Sequence, residues 1–174
     1  MAEAMLARQL AGAGVSATVW SAGMLPGGEP PPPEVISVMA RLGADVSSHR
    51  SRALSSRDLD RADLILAMER AHVRHAAVMS AGAWPRMFTI KELIRRSERV
   101  GPRQAHESLT DWLARAHTGR TRADLLGTSP DDDVADPYGG PEAAYADAAE
   151  HLDHLLGRLI VGCLAPVPRS GRPF

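Results

Sequence analysis

The chain has one cysteine, Cys163, in 174 residues. No internal disulfide is possible, and the composition predicts an intracellular, cytoplasmic protein. Lysine is equally scarce: Lys91 stands alone among 20 basic side chains, and arginine supplies the rest. The net charge of -1 excludes the broad basic footprint of a nucleic-acid or membrane-surface binder. No apolar run reaches the ~18 residues needed to cross a bilayer. The opening MAEAMLARQL lacks a basic n-region, and Glu3, Arg8 and Gln9 interrupt any apolar h-region, so it does not read as a signal peptide. GxSxG, Walker A and GxGxxG stretches are absent. His72 with His75, and His151 with His154, sit three residues apart. No third or fourth ligand stands at a usual spacing, so neither a metal nor a cofactor is expected.

What is present reads as a globular chain, with 44% apolar and 24% charged residues. MAEAMLARQL suits a helix, with Ala2, Met5, Leu6 and Leu10 on one face and Glu3 near its N-terminus. VSATVW (15–20) alternates and predicts a strand. A Gly- and Pro-rich loop follows to residue 33. Val35, Val38, Met39 and Leu42 predict a helix that Gly43 stops. Ser55 or Ser56 can cap a short helix over 55–62. LILAM (64–68) has the continuous apolar character of a strand buried on both faces of a parallel sheet. A helix to about residue 80, a strand over RMFTI (86–90) and a helix from KELIRRSE come next. DDDVADPYGG (131–140) is an acidic loop. A long helix over 141–165 then carries Pro141 near its first turn and the stripe Tyr145, Ala148, Leu152, Leu156, Leu159 and Cys163.

Residues 97–130 read as an insertion. Leu109, Trp112, Leu113 and Ala116 give it a helix of its own. Arg99, Arg103, Arg115, Arg120 and Arg122 are expected on a solvated face, with a partner contact as the alternative. The alternation of elements predicts an α/β fold in three layers: a short, mostly parallel sheet with helices on both faces. Residues 1–165 are expected to form one domain, and 166–174 a flexible tail.

Few side chains offer chemistry. Cys163 lies late in a helix on its apolar stripe, where the dipole opposes a thiolate, and reads as a core cysteine. Pro137 holds Asp136 out of the helical region, so its carboxylate can project from a loop and protonate a leaving oxygen. Tyr138 sets a ring beside it. Taken alone, Asp-Pro is also an ordinary turn former. Ser21, directly after the first expected strand, and His49, in SSHRSR, can brace a phosphate-binding backbone or simply stabilise turns.

SAG after a strand, then GxxPPP, LGADVSSHRSRALS, DLDRADLILAMER and DPYGG before the last helix: in order and spacing the chain resembles the low molecular weight protein tyrosine phosphatases. The likeness runs from residue 1 to about 93 and from about 131 to 162. It implies that Asp136 is the general acid and base, that Tyr138 flanks an aromatic phosphate ester, and that Ser21 and His49 support the phosphate loop. It implies a phosphotyrosine protein or another aryl phosphate as substrate, with no cofactor, nucleic acid or membrane.

That family opens with a central strand and a Cys-x5-Arg loop, whose Cys attacks phosphorus and whose amides and Arg cradle the phosphate. MAEAMLARQL matches the helix directly after that loop. The resemblance thus places that strand, the nucleophilic Cys and the Arg ahead of Met1. The expectation is that Met1 is an internal methionine of a longer product, and that this chain alone is inactive. An in-frame stop before the Met1 codon, with no encoded Cys-x5-Arg, would refute it. Two other readings stand beside this one. A thioredoxin-coupled arsenate reductase needs further cysteines, and ERAHVRHAAVMS, where they belong, has none. A non-catalytic binding module would use the 97–130 insertion.

Overall fold

A computed structural model of the chain describes residues 1–165. The tail expected at 166–174 lies outside the described residues. Two short parallel strands form its centre, β1 (Ile65–Ala67) and β2 (Met87–Thr89), with Ile65 opposite Met87, Leu66 opposite Phe88 and Ala67 opposite Thr89. Side chains alternate along a strand, and here the alternation divides the core in two. Leu66 and Phe88 face a large cluster built from α1 (Ala2–Gly12), α2 (Pro33–Arg41), α5 (Ile90–Val100), α6 (Leu109–His117) and α7 (Glu142–Leu159). Ile65, Ala67 and Met87 face a smaller one from α3 (Ser56–Arg61), α4 (Arg70–Met79) and the 3-10 turn Ala81–Arg86. The fold is therefore α/β, with helices on both faces of a short parallel sheet. No helix among the described residues is long and apolar enough to cross a membrane.

Helix starts follow local chemistry. Ser55, not Ser56, caps α3: its Oγ accepts from the Asp58 amide at 3.3 Å, and the Asp58 carboxylate accepts from the Ser55 amide at 3.0 Å. Thr89 and Ser108 cap α5 and α6 by accepting from Glu92 and Asp111 amides. Pro141 sits at the cap position of α7, one residue before the first turn. Ala149 rather than Ala148 lies on its buried stripe, and its end winds into a π-helical turn, Ile160–Leu164.

Three expectations need correction. VSATVW forms no strand. The alternation is there, but a ladder needs a neighbour, and the only parallel contact nearby is an isolated bridge between Gly23 and Ala53. Trp20 instead stays 39% exposed under the Arg52 guanidinium, 4.6 Å from the ring centroid. LILAM is half-buried through β1, whose Ile65, Leu66 and Ala67 pack at the margins of the two clusters, whereas β2 is fully buried. The arginines of 97–130 do not all face solvent. Arg103 donates to the carbonyls of Cys163 and Leu164. The Arg120 side chain is only 1% exposed. Its guanidinium lies 4.0 Å from the centroids of both the Trp84 and Phe88 rings. It forks onto Glu92 of α5, at 2.7 and 2.9 Å. Arg96 joins the same carboxylate at 3.1 Å, and His117 Nδ1 lies 3.0 Å from Arg120. Burial and the two guanidiniums lower the pKa of that imidazole.

The loop after residue 22 runs tightly along 51–54. The Gly23 and Gly28 amides donate to the Arg52 and Ser51 carbonyls, and the Ser51 and Leu54 amides donate back to Glu29 and Gly23. A Cβ on Gly27 would stand 2.6 Å from Arg52 Cα and 2.7 Å from the Ser51 carbonyl oxygen. Both obstacles are backbone, so neither can swing aside. Gly27→Ala should lower stability by about 1–3 kcal/mol. Urea unfolding would show a lower midpoint at unchanged slope, and an unaltered midpoint would contradict it.

Candidate active site

The acidic loop is fixed at the carboxyl edge of the sheet. Immediately past β1, the Met68 carbonyl accepts from the Val134 amide at 2.8 Å. Asp132 is buried and takes Arg70 Nε at 2.6 Å together with the Arg95 guanidinium. Asp133 accepts from the Arg70 amide at 2.8 Å and the Ser129 amide at 2.9 Å. The lone lysine, Lys91, donates to the carbonyls of Pro130 and Asp133 at 2.9 and 2.7 Å. These contacts were not foreseen from the sequence, although a DDD run just ahead of DPY and a solitary lysine were the visible signals.

With Asp132 and Asp133 engaged, two exposed carboxylates remain in the loop, Asp131 at its start and Asp136 toward α7. Oδ1 of Asp136 accepts only from the Tyr138 amide, at 3.0 Å, an Asx turn that leaves Oδ2 without a partner among the described residues. Tyr138 is 79% exposed. Behind it the Gly139 amide donates to the Tyr145 hydroxyl at 3.2 Å, tying the loop to the first turns of α7. Gly139 has φ 79°, a conformation that suits glycine.

The other expected residues lie apart from this loop in their bonding. Ser21 Oγ donates to Glu3 Oε2 at 2.5 Å, joining the end of 15–20 to the first turn of α1. The His49 amide donates to the Val46 carbonyl at 3.0 Å, and its ring has no hydrogen bond among the described residues. No hydrogen bond or ion pair among those residues links Ser21, His49, Asp136 and Tyr138 to one another. Cys163 is buried, its Sγ donates to the Leu159 carbonyl at 3.1 Å, and burial pushes the thiol up to about 12. It cannot supply a thiolate at neutral pH. The described residues hold no group of three His, Cys, Asp or Glu able to bind a metal.

A short parallel sheet between helix layers, with an acidic loop held past its carboxyl edge, defines the class: an α/β protein, in which ligand sites lie beyond the carboxyl ends of the strands. The family profile described as Low molecular weight phosphotyrosine protein phosphatase matches residues 1–111, and the chain belongs to that family. The match ends before Asp136 and Tyr138. A Ralstonia solanacearum protein named "Probable low molecular weight protein-tyrosine-phosphatase EpsP" is 36% identical over 93 residues, which are 53% of this chain and 62% of that relative. This chain thus spans less than two thirds of the length of that relative. The crystal structure of a low molecular weight protein tyrosine phosphatase from T. tengcongensis is similar at 29% identity and a TM-score of 0.67, covering 91% of this chain and 86% of that one. The YwlE arginine phosphatase from Geobacillus stearothermophilus is similar at 25% identity and a TM-score of 0.62, covering 91% and 79%.

Proposed function

We propose that Asp136 is the general acid and base of a phosphomonoesterase acting on phosphotyrosine or another aryl phosphate. The observation that carries this reading is the loop itself: three cationic side chains and the Met68 carbonyl hold its base, while the exposed Asp136 keeps Oδ2 without a partner among the described residues, next to an exposed tyrosine ring. In the proposed reaction a cysteine thiolate attacks phosphorus and the P–O bond to the phenol breaks. Asp136 gives its proton to the departing oxygen. It then takes a proton from the water that displaces the thiolate, releasing phosphate. Tyr138 flanks the aromatic ring of the ester, and Ser21 and His49 support the phosphate loop.

The thiolate and the phosphate-binding Arg belong to a Cys-x5-Arg loop directly ahead of α1; the one Cys-x5-Arg spacing within these 174 residues, Cys163 to Arg169, starts from a buried cysteine whose thiol is pushed up to about 12 and does not supply that loop's thiolate. Turnover therefore requires that loop ahead of α1, because acid and nucleophile act as one unit. The test is hydrolysis of 4-nitrophenyl phosphate by this chain and by the same chain preceded by a strand and a Cys-x5-Arg loop. Release of nitrophenol only by the second is expected, and equal release by both would overturn the proposal. The likeness to an arginine phosphatase sets phosphoarginine as the competing substrate. Preference for it over phosphotyrosine in the loop-bearing form would overturn the aryl assignment.

A further inference from the structure

A cleft of about 450 Å³ opens between α5 and the 119–125 segment. Arg70, Arg95, Arg96 and Arg99 line it, against Glu92, Asp124 and Asp132. The two buried carboxylates are each shared by two guanidiniums: Asp132 by Arg70 and Arg95, Glu92 by Arg96 and by Arg120 behind the wall. Asp124 accepts from the Thr121 amide at 2.8 Å. Arg99 makes no hydrogen bond or ion pair among the described residues. Five guanidiniums thus meet three carboxylates, an excess of two positive charges. Just outside, Lys91 and Asp133 carry opposite charges that offset each other. Along α5, Lys91, Arg95 and Arg99 fall at successive fourth positions, a like-charge stripe that disfavours the helix unless anions answer it. The loop carbonyls and Asp132 answer Lys91 and Arg95, but nothing among the described residues answers Arg99.

We propose that this cleft binds a compact inorganic oxyanion of the phosphate or pyrophosphate class. Guanidinium forks match tetrahedral oxyanions in geometry as well as charge. The walls point to a ligand that is all anion: Ala123 and Leu125 are the only apolar side chains in them. The nearest aromatic rings, Trp84 and Phe88, are already covered by Arg120, so no surface remains to stack a nucleobase. Asp132 lies four residues before Asp136, so an anion drawing on Arg95 acts on the anchor of the acid loop.

The site is tested by calorimetric titration of the 174-residue protein with sodium pyrophosphate at constant ionic strength. Saturable binding near one per chain is expected. Arg99→Gln should weaken it about tenfold, one charge-assisted contact, and Arg99→Glu should abolish it. Arg57, exposed on α3, has no part in the cleft, so Arg57→Gln should bind as the parent does. No saturable heat, unchanged affinity in Arg99→Glu, or an equal loss in Arg57→Gln would each overturn the assignment. Thermal melts of the variants check that they fold.

Discussion

Replacing Glu92 by glutamine should destabilise the protein by about 3–5 kcal/mol, the range for breaking a buried ion pair from one side. Glu92 is the common acceptor of Arg120 and Arg96, whose side chains are 1% and 14% exposed. A guanidinium does not deprotonate in a protein. Without the carboxylate, two cations sit between α5, α6 and the Trp84 turn with no carboxylate bonded to them, and only the charge of Asp124 nearby to offset them. Burial already pulls the Arg120 pKa down, and Glu92 is the main group holding it up. The converse substitution should be milder. Arg120→Met leaves Glu92 paired with Arg96 and sets a flexible apolar chain between the Trp84 and Phe88 rings. A loss of about 1.5–3 kcal/mol is expected, the range for hydrogen bonds to a charged group. Urea unfolding of both variants checks the asymmetry. Stability of Glu92→Gln within about 1 kcal/mol of the parent would show that the cluster contributes little, as exposed pairs do. With domains stable by only ~5–15 kcal/mol, the predicted loss approaches unfolding.

That cluster also marks where sequence reading stops. Arg120 looks like any of five arginines in a polar segment, and its partner lies 28 positions earlier on another helix. Only the closing of α6 onto α5 removes it from water. The stripe Leu109, Trp112, Leu113 and Ala116 was legible because it is local: helical spacing alone sets which side chains share a face. Strand pairing is not local, so VSATVW carries the right alternation and still forms no ladder. Gly43 was legible as a stop because its φ of 75° suits glycine. In the candidate site, Asp136 stood out through Pro137 and through the family likeness. The roles of Asp132 and Asp133 did not, since their cations come from the start of α4 and the first half of α5. Those segments meet the loop only because β1 and β2 end side by side. The exposed placement of Asp136 was thus readable from a tripeptide, while the contacts that hold the loop were not.

In a form that carries the Cys-x5-Arg loop, Asp136→Asn should lower kcat/KM on phosphotyrosine about 10²–10⁴-fold, the usual contribution of a positioned general acid. Each tenfold corresponds to about 1.4 kcal/mol of lost transition-state stabilisation. The amide is close in shape and still accepts the Tyr138 amide through its oxygen, so the Asx turn survives. What it loses is the proton. Tyrosine leaves as a phenolate of a weak acid, with a pKa near ~10, and needs that proton as the P–O bond breaks. An ester of a more acidic phenol needs it less. The loss on 4-nitrophenyl phosphate should therefore be smaller than on phosphotyrosine, and this dependence on the leaving group separates proton donation from a merely structural effect. Asp132→Asn supplies the contrast. It weakens the hold of Arg70 and Arg95 on the loop and should reduce turnover of both esters alike, with a lower melting temperature. Equal losses on the two esters in Asp136→Asn would remove this carboxylate from the chemistry and return it to the turn it also makes.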